Sequence, residues 1–181
     1  MKENTKKEVF SWIKTIVFTL VVIFIFRTFL FTSINVSGDS MVPTFEDNDR
    51  LLVNKTAKVE RFDMIVFDAP DSDSLYIKRV IGLPGDSVEV KNDVLYINGE
   101  EVKEPYIKEN KEGSPSDLIT GNFTLEELTG ETQVPEGKLF VMGDNRLYSK
   151  DSREFGFITN DSVIGEASFR YFPFNKIGLQ E

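Results

Sequence analysis

The 181-residue sequence contains no histidine and no cysteine. Without an imidazole, a Ser-His-Asp triad is impossible, as is any site that needs a histidine ligand. Without a thiol, cysteine catalysis, disulfides and thiolate metal sites are excluded, and there is no redox liability outside the cell. A hydrolase built from this chain must therefore take its base from Lys, Asp, Glu, Tyr or a metal-bound water. Basic residues are also outnumbered, 21 Lys and Arg against 30 Asp and Glu. That acidic balance argues against nucleic acid as the main partner. No internal repeat is visible.

What is present is apolar surface, with a hydrophobic content of 40% and 16 phenylalanines. This is enough for a core, and the length fits one domain. The charge is unevenly distributed. Up to Ile34, the basic residues Lys2, Lys6, Lys7, Lys14 and Arg27 outnumber Glu3 and Glu8. The resulting net of +3 leaves −12 for the remainder of a chain whose total is −9. A basic, apolar head on an acidic body is the pattern of a membrane-anchored domain.

Residues 10–31 are mostly Phe, Ile, Val and Leu. As a helix they span about 33 Å, matching a hydrocarbon core of roughly 30 Å. Lys14 and Arg27 lie near the ends, where long side chains reach the headgroups, and Trp12 sits at an interfacial position. The run is apolar on all sides, unlike a buried soluble helix. No small-x-small site follows it, unlike a cleaved leader. The expectation is a single retained span over 10–31. The excess of positive charge at its start puts residues 1–9 in the cytoplasm and residues 32–181 outside. Ser40 follows so soon that extended chain carries it about 30 Å at most from the span.

The body predicts short strands at Arg50–Val53, Met64–Phe67, Leu75–Ile81, Ser87–Val90, Val94–Ile97, Lys138–Met142 and Ala167–Phe172. Asn98-Gly99 favours a type I′ hairpin turn. Residues 104–136 are polar, with Pro105, Gly113, Pro115 and Gly121, and predict an insertion or long surface excursion. The fold class expected is mainly β, a body of antiparallel strands on one N-terminal transmembrane α-helix.

Three stretches carry chemistry. In Ser37-Gly38-Asp39-Ser40-Met41-Val42-Pro43-Thr44 a small-residue turn presents a serine, though such residues also make ordinary turns. In Tyr76-Ile77-Lys78-Arg79-Val80-Ile81 a lysine lies in an apolar strand. Alternation puts Lys78 with Tyr76 and Val80, and Arg79 on the opposite face with Ile77 and Ile81. A strand lysine is usually an edge device against aggregation. Burial, however, lowers a lysine pKa and makes its amine a base for a serine hydroxyl. The third stretch, Gly143-Asp144-Asn145-Arg146-Leu147-Tyr148-Ser149-Lys150-Asp151-Ser152-Arg153, reads either as a solvated turn or as a hydrogen-bonded loop that holds a site together.

In this order, behind an apolar head, the three stretches resemble the type I signal peptidase family. The resemblance implies a Ser/Lys endopeptidase that removes signal peptides from exported preproteins, cutting after small-x-small. It implies Ser40 as nucleophile and Lys78 as general base. Ser149 would orient the lysine, Asp151 and Arg153 would support the site, and Asp144, Asn145 and Arg146 would begin the same loop. The substrate would bind as an added strand, with Ile34, Val36, Met41, Tyr76 and Ile77 lining shallow pockets, although core packing explains such residues equally well. Arg61 to Phe67 is similar to the family's intervening strand motif, with arginine and phenylalanine where glycine is common. In many Gram-negative members a serine two residues before the nucleophile helps hold the oxyanion. Here that position is Gly38, as in many Gram-positive members, so the oxyanion region is Gly38 and the Ser40 amide, with Ser37, another amide or water as the second donor. Expected partners are signal peptides, the lipid bilayer and the secretion translocon, with no nucleic acid, metal or cofactor. Two other readings fit parts of the sequence: a self-cleaving repressor-type Ser/Lys peptidase, and an inactive anchored peptide-binding or scaffold domain.

Overall fold

The computed structural model describes residues 2–113 and 118–180. Met1 of the expected 1–9 segment and Pro115 of the polar region lie outside the described residues. Helix α1 (Lys2–Ile25) runs into a π-helical turn at Phe26–Leu30. Within this unit Glu8–Leu30 has a mean hydropathy of 2.4 and none of it is buried, so it is long and apolar enough to cross a membrane. The Thr15 and Thr19 hydroxyls donate to the carbonyls of Ser11 and Thr15, four residues back. Their polarity is thereby used up along the helix, as a membrane-crossing segment would require.

Phe31, expected to close the span, instead opens strand β1 (Phe31–Asn35). The change follows from the side chains: Thr32 and Ile34 are β-branched, and such residues favour a strand when a partner is at hand. That partner is β2 (Arg50–Asn54), paired antiparallel from Phe31 opposite Asn54 to Asn35 opposite Arg50.

The remaining strands are β3 (Met64–Asp68), β4 (Leu75–Gly82), β5 (Val88–Lys91), β6 (Val94–Ile97), β7 (Glu100–Val102), β8 (Phe123–Thr124), β9 (Lys138–Met142), β10 (Ile158–Thr159), β11 (Val163–Phe172) and β12 (Gly178–Leu179). The larger sheet has the order β1-β2-β11-β3-β4-β9-β10, with β12 also on β11. The smaller has the order β7-β6-β5-β8. Every pairing is antiparallel. The predicted strands all recur, and β1 together with the short β7, β8, β10 and β12 are added. Asn98 and Gly99 have φ of 54° and 81°, the pair of positive values that a type I′ turn requires.

Three apolar clusters hold the body. One, with Val36, Met41, Phe45, Leu51 and Val53, lies beneath the Ser40 turn. A second joins Ile65, Phe67, Val80, Leu139 and Val141 of the large sheet. The third packs Val88, Val90, Leu95 and Ile97 of the small sheet onto Ile81, Phe140 and Met142 of the large one. Each fully buried side chain of this size contributes about 1.5–3 kcal/mol.

Residues 104–136 depart from the expectation of a surface excursion. They contain α2 (Lys108–Gly113), β8 and α3 (Leu125–Thr129), and they bury Ile107, Ile119, Phe123, Leu125 and Val134. The polar composition misled because several of the polar side chains are bonded inward. Tyr106 donates to Glu104, and Asn110 donates to the carbonyls of Val42 and Asp144.

Candidate active site

Ser40 sits on a turn that the core fixes from below. Met41 and Phe45 are buried, and the Phe45 N–H returns to the Met41 carbonyl at 2.9 Å. Val36 and Asp49 close the base of the turn at 2.8 Å. Gly38 has φ of 85° and its N–H donates to Asp47 Oδ1 at 2.9 Å. That amide is already used, whereas the Ser40 N–H has no acceptor among the described residues.

Lys78 comes to Ser40 from β4. Its amine lies 2.7 Å from Ser40 Oγ and also donates to the Ile77 carbonyl at 3.1 Å. The residue is only 4% exposed. Burial pushes its pKa from 10.5 down to about 8, against the fields of Asp151 and Asp144, which act in the opposite direction. An amine so placed is neutral far more often near physiological pH than an ordinary lysine, though still in a minority of molecules, and it is in contact with the one hydroxyl it could deprotonate.

Arg79, its neighbour, turns away from the cleft. Its Nε and Nη2 grip the Asp144 carboxylate at 2.9 and 2.8 Å, and Nη1 donates to the Phe62 carbonyl at 2.8 Å. The Thr44 hydroxyl donates to the same carboxylate. Arg79 and Asp144 are almost wholly buried, so removal of either partner alone costs about 3–5 kcal/mol.

The loop from Gly143 to Arg153 closes the site. The Asn145 N–H donates to the Ser40 carbonyl at 3.0 Å, and its side chain donates to the Asp39 carbonyl at 3.0 Å. Asp151 caps α4 (Ser152–Phe155), accepts the Gly143 N–H at 2.9 Å and is held at 2.8 Å by both Nε and Nη2 of Arg153. Arg153 Nη2 also donates to the Arg146 carbonyl at 2.8 Å. Gly143 permits the closest approach: a Cβ there would lie 2.1 Å from Ser149 Oγ and 2.4 Å from the Ser40 carbonyl oxygen. Ser149 is buried beside it, and its hydroxyl has no hydrogen-bond partner among the described residues. The expected bond from Ser149 to Lys78 is therefore not formed in this structure.

A cleft of about 490 Å³ opens over the pair. Residues 34–41 form one wall, residues 75–78 the other, and Tyr148 and Lys150 reach in from the loop. All five expected pocket residues border it. Val36 and Met41, however, belong mainly to the core below, with Ile34 and Ile77 packed against the same cluster. Tyr76 packs edge-on against Phe67 and at a tilt against Phe155. No group of three or more metal-binding side chains is gathered among the described residues.

Sequence reasoning missed Thr44, Arg79, Glu104, Tyr106, Asn110 and Gly143 as parts of this assembly. For Arg79 a signal existed: a second cation in an apolar strand needs a buried anion. The others are recognisable only by their tertiary partners.

Comparison with known proteins gives a consistent result. Residues 9–172 match the family model described as signal peptidase, peptidase S26. Signal peptidase I of Bacillus caldolyticus is 49% identical over 158 residues, covering 85% of this chain and 86% of that protein. Signal peptidase IB of Staphylococcus aureus strain COL is 44% identical over 179 residues, covering 94% and 93%. The crystal structure of a signal peptidase I from Enterococcus faecalis V583 superposes with a TM-score of 0.58 at 47% identity, covering 61% of this chain and 97% of that one. Neither the repressor-type nor the scaffold reading is favoured by these matches. With most of the apolar helix, strands β1 to β11 and the three motif stretches inside the matched region, the chain belongs to the signal peptidase family, peptidase S26.

Proposed function

We propose that this peptidase removes signal peptides from exported preproteins with Ser40 as nucleophile and Lys78 as general base. The single observation that carries the reading is the 2.7 Å contact between Lys78 Nζ and Ser40 Oγ, made by a lysine whose pKa burial has lowered to about 8. Neutral Lys78 takes the Ser40 proton as Oγ attacks the scissile carbonyl. The ammonium formed then protonates the departing amine. The mature protein leaves, and the signal peptide remains as an ester on Ser40. Lys78, neutral again, deprotonates a water that attacks the ester, and returns that proton to Ser40.

The oxyanion of each tetrahedral intermediate needs aimed donors. The Ser40 N–H supplies one. With the Gly38 amide engaged by Asp47, the Ser37 hydroxyl or water supplies the second. Ser149 orients the Lys78 amine when the proton has moved, since its hydroxyl is buried and uncommitted. Asp144, Asn145, Arg146, Asp151 and Arg153 keep the loop in register. The substrate lies extended between residues 34–38 and 75–77, with small side chains facing Ile34, Val36, Met41, Tyr76 and Ile77. The span anchors the enzyme in the bilayer, with its N-terminus cytoplasmic and its body on the outer face near the secretion translocon.

The test is cleavage of a preprotein in liposomes, with the cut read by mass spectrometry. Wild type should cut after a small-x-small triplet. Ser40→Ala, Lys78→Ala and Lys78→Arg, the last because arginine stays protonated, should each lose activity while folded. A folded wild type that never cuts, or a cut that survives Lys78→Ala, would overturn the reading.

A further inference from the structure

Glu104, Pro105 and Tyr106 join the small sheet to α2 and lie outside the cleft. Their side chains nevertheless reach the base of the catalytic loop. Glu104 forms an ion pair with Arg146 in which both side chains are almost fully buried. The Tyr106 hydroxyl donates to Glu104 Oε1 at 2.8 Å. The Tyr106 ring centroid lies 4.0 Å from the Arg79 guanidinium and 5.9 Å from that of Arg146. One glutamate and one ring thus engage two of the three arginines that run into the site, Arg79 and Arg146.

Each arginine passes the constraint on. Arg79 carries Asp144 by its fork. Arg146 Nε donates to the Gly143 carbonyl at 3.1 Å, and Arg146 Nη1 touches Thr120 Oγ1 at 3.3 Å. The Arg146 carbonyl receives Arg153, which holds Asp151, which in turn holds the Gly143 N–H. Gly143 is where Ser149 and the Ser40 carbonyl converge. A guanidinium sandwiched on a ring and neutralised by a buried carboxylate loses most of its freedom to swing. Burial and the adjacent Glu104 carboxylate push the Tyr106 phenol upward, so it remains a donor throughout the working pH range.

We infer that Glu104 and Tyr106 are positioning residues of this peptidase, a clamp that acts through Arg146 and Arg79 to hold Gly143, Asp144 and Ser149 in register beneath Ser40 and Lys78. The inference rests on the proposed dyad for its catalytic consequence, but not for its structural one. The clamp touches neither the cleft nor the reacting atoms. Its loss should therefore lower kcat and leave KM nearly unchanged. It should also move the pH profile, because the charged groups facing Lys78 include Asp144 and Asp151, both fixed by this network.

The experiment uses the full chain in detergent and the variants Glu104→Gln, Tyr106→Leu and Tyr106→Phe. Steady-state kinetics on a preprotein across pH are paired with hydrogen–deuterium exchange. The expected result for Glu104→Gln and Tyr106→Leu is a tenfold or greater fall in kcat with KM within about twofold. The pH midpoint should shift, and exchange should be faster in residues 143–153 while β2 and β3 keep wild-type protection. Tyr106→Phe, which keeps the ring, should recover most of the kcat lost in Tyr106→Leu. Wild-type kcat and pH profile in folded variants, unchanged exchange in 143–153, or a rise in KM alone would overturn the clamp. Uniformly faster exchange would also overturn it, as a general loss of stability. If Glu104→Gln does not fold, the tyrosine pair decides by the same criteria. If wild type does not cleave, the dyad reading fails and the exchange data still decide the clamp.

Discussion

Changing the pH is the sharpest perturbation of the proposed mechanism. Lys78 titrates at about 8 instead of 10.5 because burial disfavours its ammonium. At pH 7 about one molecule in eleven then carries the neutral amine, against roughly one in 3,000 for an ordinary lysine, a gain of about 300-fold in competent enzyme. The value of kcat/KM should rise about tenfold per unit up to the region of pH 8 and level off above it. The assay is initial rate against pH, using a preprotein with no titrating residue near the cut. The same shift makes a claim about stability. The folded pKa lies below the unfolded one, so the cost of the buried ammonium is fully present below pH 8. It fades as pH rises toward 10.5. Relative to Lys78→Met, wild type should therefore gain about 3 kcal/mol between pH 7 and pH 10.5. A rate midpoint near 10.5, a flat or acid-favouring profile, or a stability difference that does not change with pH would refute the reasoning.

Three further outcomes follow from neighbouring contacts. Ser149→Ala removes a buried hydroxyl with no partner, so activity should fall while thermal stability stays level or rises slightly. A clear loss of melting temperature in that variant would show that the hydroxyl has a structural partner. Gly143→Ala should abolish cleavage and cost several kcal/mol, because its Cβ would meet a backbone oxygen at 2.4 Å; denaturant unfolding and activity check both. Asp144→Asn should destabilise by about 3 kcal/mol, since it leaves Arg79 buried without its counter-ion, and urea unfolding measures this directly.

The parts legible in the sequence were those whose signal is local. An apolar run of membrane length, alternating strands, Asn-Gly at a hairpin and a serine on a small-residue turn each announce themselves within a few residues. The absence of histidine narrowed the possible bases to Lys, Asp, Glu, Tyr or a metal-bound water, and it was the resemblance carried by the three motif stretches that paired Ser40 with Lys78. The opposite faces of Lys78 and Arg79 followed from the two-residue period. Beyond the loop residues that the resemblance implied, the supporting contacts were not legible. Glu104, Tyr106 and Asn110 are polar residues in a polar stretch, and composition alone cannot separate a carboxylate facing water from one facing a buried arginine. Gly143 looked like turn punctuation, yet its lack of a side chain is what lets two distant segments touch. Phe31 was assigned to the span because hydropathy does not register the strand partner waiting at Asn54.

The junction between the apolar helix and the cleft is short. β1 begins one residue after the π turn that ends at Leu30, and Ile34 and Asn35 of that strand already line the cleft. Its five residues advance about 17 Å at 3.3 Å each. In the proposed topology and pose, a peptide leaving the membrane alongside this strand covers the same distance with about the same number of extended residues before it reaches the cleft. On that reading the enzyme would act as a ruler, with the spacing between a substrate's apolar core and its cut set by the length of β1. Inserting two residues there, which keeps the faces of the strand, would move the preferred cut outward by about two.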